Sequence, residues 1–101
     1  MYSFKHDERL QISVPVLEGY WEDLPHTVQA TILFKWEQTK SSIPDRIAEL
    51  EHFIIEKQEQ LNREADFQRS CLLNAQIAEL ASIINDLWIW YRKQMLLTKK
   101  D

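Results

Sequence analysis

Few side chains in this chain are of a type that does chemistry, and their spacing keeps them apart. His6, His26 and His52 share no interval that would bring two of them onto one helix face. A metal centre needs convergent ligands, so none is expected. Cys71 is the only cysteine, which excludes an intrachain disulfide and any cysteine-based zinc site. It falls among helix positions that pack closely, so the expectation is a buried structural thiol and not a nucleophile. Glu49, Glu51, Glu56, Glu59 and Glu64 would serve as an acid–base pair only where apolar surroundings raise one pKa. They lie on a polar helix face and read as solvated. A single glycine is too few for a phosphate-cradling loop. With no nucleophile, base and orienting group in reach of one another, no enzyme and no cofactor are expected.

What remains is the aromatic cluster "LWIWY", Leu87 to Tyr91, followed by "RKQMLLTKK". Trp88, Trp90 and Tyr91 have the types that form a cation cage or a base-stacking platform. Helical spacing explains them more simply as packing surface. Arg92, Lys93, Lys99 and Lys100 offer a second reading, a basic segment touching nucleic acid or a membrane surface. Cations at a helix C-terminus also favour the helix dipole. Net charge is −4 overall. Residues 92–101 carry +3 and residues 1–91 carry −7, so most of the molecule repels phosphate backbones. Neither nucleic acid nor a membrane is the favoured partner.

The composition is 45% hydrophobic and 28% charged, that of a folding chain of one domain. No Gly or Pro occurs after Pro44, which points to helix. The longest apolar run is five residues, far short of the ~20 that a membrane span needs. The opening "MYSFKHDERL" has no apolar signal core, so a cytoplasmic setting is the expectation.

The elements that must position these residues follow from periodicity. Leu10, Ile12, Val14 and Val16 alternate with polar residues and Pro15, as in a half-buried strand. Pro15 restricts that strand to an edge. Residues 1–20 therefore read as an extended arm, needing residues 2–6, another subunit or the helices as its partner. Residues 25–40 read as helix 1, with a stripe of Val28, Ile32, Leu33 and Trp36. Ser42, Pro44 and Asp45 mark the start of helix 2, residues 44–61, with Ser42 as cap. Helix 3 spans residues 65–97. The polar window around residues 62–66 favours a hairpin over one continuous coiled coil, with Asn62 or Asp66 as a cap. The fold class is all-α in the main: an extended N-terminal arm, one helix, then a long antiparallel helical hairpin.

Within this hairpin, "IIEKQEQLNREADFQRSCLLNAQIAEL", residues 54–80, resembles the UVR motif. The shared features are Asp66-Phe67 at the start of the second helix, Arg69, the small Ser70 and Cys71, then Leu73, Ile77 and Ala78 to Leu80. Ile54 and Leu61 match apolar positions of the first helix. The chain departs from the motif at Gln58, Gln68, Asn74 and Ala75, and at Leu61 it keeps the apolar character but not the usual Ala. The motif occurs in bacterial excision-repair subunits and some Clp-protease adaptors. The resemblance implies an antiparallel hairpin used for protein–protein contact, often with a second copy.

Lengths then frame the interface. A second helix of ~27 Å covers residues 66–83 of a third helix of ~50 Å. Helix 1 most simply lies beside helix 2. The rest of helix 3 needs other cover, from a second copy, another partner or the N-terminal strand. The expected interface is Ile83, Ile84, Leu87, Trp88, Ile89, Trp90, Tyr91 and Met95. Asn85 reads as solvated or as an interhelical hydrogen bond. Asp86 reads as solvated or as paired with Arg92 or Lys93 of a neighbouring chain. The function expected is a non-catalytic helical interaction or self-association module, with a homodimer favoured.

Overall fold

The computed structural model describes residues 2–93, and Met95 and the rest of the C-terminal segment lie outside them. The chain is mainly helical, with a two-stranded antiparallel sheet at its start. In order it runs β1 (Tyr2–Asp7), β2 (Ile12–Leu17), a short 3-10 turn (Trp21–Asp23), α1 (His26–Lys40), α2 (Ile43–Arg63) and α3 (Phe67–Arg92).

The N-terminal region is not an extended arm. β1 and β2 pair with each other, from Tyr2 opposite Leu17 to Asp7 opposite Ile12. Asp7 closes the turn: its carboxylate accepts from the Leu10 N–H at 2.9 Å and its carbonyl from the Gln11 N–H at 2.7 Å. Gln11 completes the reversal with φ +62, a left-handed conformation that costs a side-chain-bearing residue about 1–2 kcal/mol. Gly19, at φ +100, turns the chain out of β2. Two strands alone are marginal in water. Burying Leu10 and Ile12 in the main core ties the hairpin to the helices, and Arg46 Nε donates to the Leu10 carbonyl at 3.3 Å.

The helical hairpin turns at Glu64, Ala65 and Asp66. Glu64 and Asp66 are both extended, at ψ 127 and 121, which breaks the helix. Asp66 caps α3 by accepting from the Gln68 N–H at 3.2 Å. Glu64 accepts from the Asp66 N–H and pairs with Arg69 Nε at 3.1 Å, so one side chain braces both sides of the turn. Lys57 Nζ donates to Gln76 Oε1 across the hairpin at 3.0 Å. That register carries α2 back alongside α3 as far as Leu87, which shares one cluster with Ile43, Ile47, Leu50 and Ile83. The cover is longer than residues 66–83 because α2 begins at Ile43 and ends at Arg63. At the far end the helix stops at Arg92; Lys93 is extended, at ψ 128.

α1 does not lie beside α2. The link between them, Ser41 and Ser42, keeps right-handed helical dihedrals, so the chain turns a corner there and does not double back. The Ser42 hydroxyl does not cap α2; it donates back to the Thr39 carbonyl at 2.7 Å. The corner carries α1 past the start of α2, onto β2 and the end of α3. Ile32 and Trp36 are its buried residues.

Candidate interaction surface

The last turns of α3 are the most apolar stretch of the chain, and α1 and the β-hairpin cover much of them. Leu87 is 0% and Ile83 8% exposed, both inside the subunit's own core. They are not free to anchor a partner, contrary to the expectation from helix lengths. The reason is that α2 reaches back as far as Leu87, and Leu10 and Ile12 of the β-hairpin and Trp36 of α1 join the same cluster. Ile84, Trp88, Trp90 and Tyr91 pack against that core and stay half-buried. Ile89 is 44% exposed.

The aromatic rings pack in two pairs. Trp90 lies 5.5 Å from Trp36 at a 59° tilt, and Trp88 meets Tyr91 edge-on at 5.5 Å. The basic residues sit on ring faces: Lys93 Nζ is 4.3 Å from the Trp90 centroid and Lys40 Nζ 5.3 Å from that of Tyr91. Each such contact contributes roughly 0.5–1 kcal/mol at exposed sites. Trp36 is 2% exposed, and its indole N–H has no hydrogen-bond partner.

Asp86 pairs within its own chain. Arg9, at the tip of the β-hairpin, reaches Asp86 Oδ2 at 2.7 Å, Glu79 Oε2 at 3.1 Å and Ser82 Oγ at 2.7 Å. Asp86 first and then Glu79 raise the guanidinium above its ordinary pKa. Spacing alone did not point to Arg9, because its partners lie seventy or more residues away. Asn85 is exposed. Cys71 is exposed too, not buried: the core side of α3 is the face of Leu73, Leu80 and Leu87, and Cys71 points away from it.

The outer face of α3 is the side on which Ile89 follows the small residues Ala78, Ser82 and Asn85, a stripe legible in the sequence. Phe67, Cys71, Ala78, Ser82, Asn85 and Ile89 follow one another at steps of four, seven, four, three and four, and all are exposed. The charged residues of α3 before Arg92 are Arg69, Glu79 and Asp86, and none lies on this face. Phe67 is 79% exposed. The signal available in the sequence was the heptad spacing of small residues and not their hydrophobicity.

The histidines stay apart; His52 Nε2 lies 3.1 Å from Glu56 on the surface of α2. Among the described residues no group of His, Cys, Asp or Glu is placed to hold a metal ion, and no helix is long and apolar enough to cross a membrane. Compared with known proteins, the chain matches no family model, no curated protein and no solved structure.

Proposed function

We propose that the protein is a non-catalytic self-association module of the cytoplasm, in which the outer face of α3 packs against the same face of a second copy. One observation carries this reading: a solvent-facing helix side, about six turns long, has no charged side chain of its own between Phe67 and Ile89, and the one charge that meets it is Arg9 at its Ser82 edge. A helix face that only meets water is normally studded with charged residues. Leaving Phe67, 79% exposed, in water forgoes roughly 1.5–3 kcal/mol, and Ile89, 44% exposed, about half of that. Small side chains between them let two helix backbones approach closely.

The pattern is self-complementary in the antiparallel sense. Phe67 and Ile89 lie eleven residues on either side of Ala78, and Cys71 and Asn85 lie seven. A two-fold axis at Ala78 sets each large residue against the other's and small against small, as an isologous dimer requires. The interface moves from the Ile83 and Leu87 side of the helix to the opposite side, and Ile89 is common to both. The local resemblance to a protein-contact hairpin agrees with this role.

Light scattering tests the proposal. The wild type is expected to give twice the monomer mass of 12.1 kDa at about 100 µM. Ala78→Arg is expected to give a folded monomer. A monomeric wild type at that concentration would overturn the reading, as would an Ala78→Arg variant that stays dimeric.

A further inference from the structure

Between the β-hairpin and the end of α3, a groove of ≈ 310 Å³ is lined by Pro15, Leu17, Trp21, Trp90 and Lys93. Three separate elements build it. Pro15 and Leu17 share one face of the hairpin with their cross-strand partners Phe4 and Tyr2, and Phe4 packs against the core. The 3-10 turn supplies Trp21, and the end of α3 supplies Trp90 and Lys93. Its size is at the lower end for small-molecule sites, and its character is theirs: apolar walls with a single charged group.

The walls are held in place before any ligand arrives. Trp90 is backed by Trp36 at 5.5 Å, and Trp36 is itself locked in the core. Gln29 Nε2 donates to the Trp21 carbonyl at 2.8 Å, fixing the 3-10 turn to α1. Lys93 Nζ lies 4.3 Å from the centre of the Trp90 ring. No ion pair to Lys93 is formed among the described residues. The acids nearest in sequence to the groove, Glu18, Glu22 and Asp23, do not pair with it. The groove thus presents two indole rings, a proline and a leucine beside one ammonium group that forms no ion pair among the described residues.

We propose that this groove binds a small amphipathic monoanion: a carboxylate on an apolar body, about ten non-hydrogen atoms in all. The body lies between Trp21 and Trp90, and the carboxylate meets Lys93 at the rim. Charge complementarity selects an anion, since Lys93 already lies close over the Trp90 ring that a cationic ligand would need. The site is distinct from the outer face of α3, so it does not depend on self-association.

Octanoate and its uncharged counterpart 1-octanol are the probes, and the indole N–H resonances in ¹H–¹⁵N spectra are the readout. Octanoate is expected to shift the Trp21 and Trp90 signals saturably, with a dissociation constant on the order of 1 mM for so small a ligand. Lys93→Gln, an exposed substitution, is expected to weaken octanoate about tenfold, the value of a charged hydrogen bond, and to leave octanol unchanged. Trp21→Ala is expected to weaken both. The proposal is overturned if octanoate shifts neither resonance, or if Lys93→Gln binds octanoate as the wild type does. It is equally overturned if only a proline-rich peptide occupies the groove.

Discussion

At the scale of single residues, three positions in the β-hairpin turn, Gln11, Leu10 and Arg9, act on stability in different ways. Gln11 adopts φ +62, where a side chain is strained and glycine is not. Gln11→Gly is expected to stabilise the fold by about 0.5–1 kcal/mol, read as a rise in melting temperature of a few degrees. A lower melting temperature would mean that the Gln11 amide, which donates to the Glu8 carbonyl at 2.6 Å, matters more than the strain. Leu10 and Arg9 are neighbours that dock the hairpin by different physics. Leu10 is buried in the core, and Leu10→Ala is expected to cost about 2–5 kcal/mol. Arg9 makes more polar contacts, but in solvent, where ion pairs contribute little. Arg9→Ala is expected to lower the melting temperature far less than Leu10→Ala does; equal losses would show that the ion-pair cluster holds the hairpin down. The guanidinium pKa is raised. A raised cation stabilises at every pH below its ordinary range and loses that effect only as pH climbs through the folded value. From the Arg9 side, hairpin docking is therefore independent of pH until strongly alkaline conditions.

At the scale of elements, Trp36 decides where α1 lies. It is the largest fully buried side chain, and its N–H is unsatisfied. Trp36→Ala is expected to cost about 3–5 kcal/mol. Trp36→Phe is expected to cost much less, because it keeps the ring contact with Trp90 and removes a buried donor without a partner. Denaturant unfolding of both variants checks the difference; equal losses would mean that the N–H meets a partner such as water. Much at this scale was legible in the sequence. The alternation of residues 10–16, the stripe ending at Trp36 and the polar window at residues 62–66 all correspond to elements that form. The rest was hidden for physical reasons. Strand alternation says that residues 12–17 need a partner but does not choose among β1, the helices and another chain. Local signals at Ser42 suit a helix start, yet they do not fix the corner angle that sends α1 to the end of α3. For Cys71, the flanking Leu72 and Leu73 made the neighbourhood look apolar, while the side of the helix facing α2 is set by tertiary packing. Among the aromatic residues, Trp88, Trp90 and Tyr91 were found, but that their cover comes largely from the first forty residues required three-dimensional contacts.

At the scale of the whole molecule, the fold is an elongated body of 59 × 25 × 22 Å. Strands, α1, α2 and α3 meet at one end, and only the tip of the helical hairpin stands at the other. The proposed antiparallel pairing of α3 makes a geometric prediction beyond its mass. With the axis at Ala78, Cys71 faces residue 85 of the second copy. Asn85→Cys is expected to form an intermolecular crosslink rapidly under mild oxidation, whereas the wild type, with Cys71 alone, is expected to crosslink slowly. Non-reducing electrophoresis separates the two. Fast crosslinking of the wild type would instead indicate a parallel pair, in which the two Cys71 residues lie side by side.

All four tryptophans, Trp21, Trp36, Trp88 and Trp90, belong to the end where the strands and α1 meet α3. None is in the stretch from Ile43 to Ile84. The molecule is thus optically lopsided: ultraviolet emission registers disturbances at one pole and is blind to the other. Fraying of the hairpin tip around Phe67 would dim the far-ultraviolet dichroism while leaving the fluorescence spectrum where it was. Two melting curves recorded with these two signals would therefore separate if the tip loosens first, and superimpose if the body comes apart as one unit.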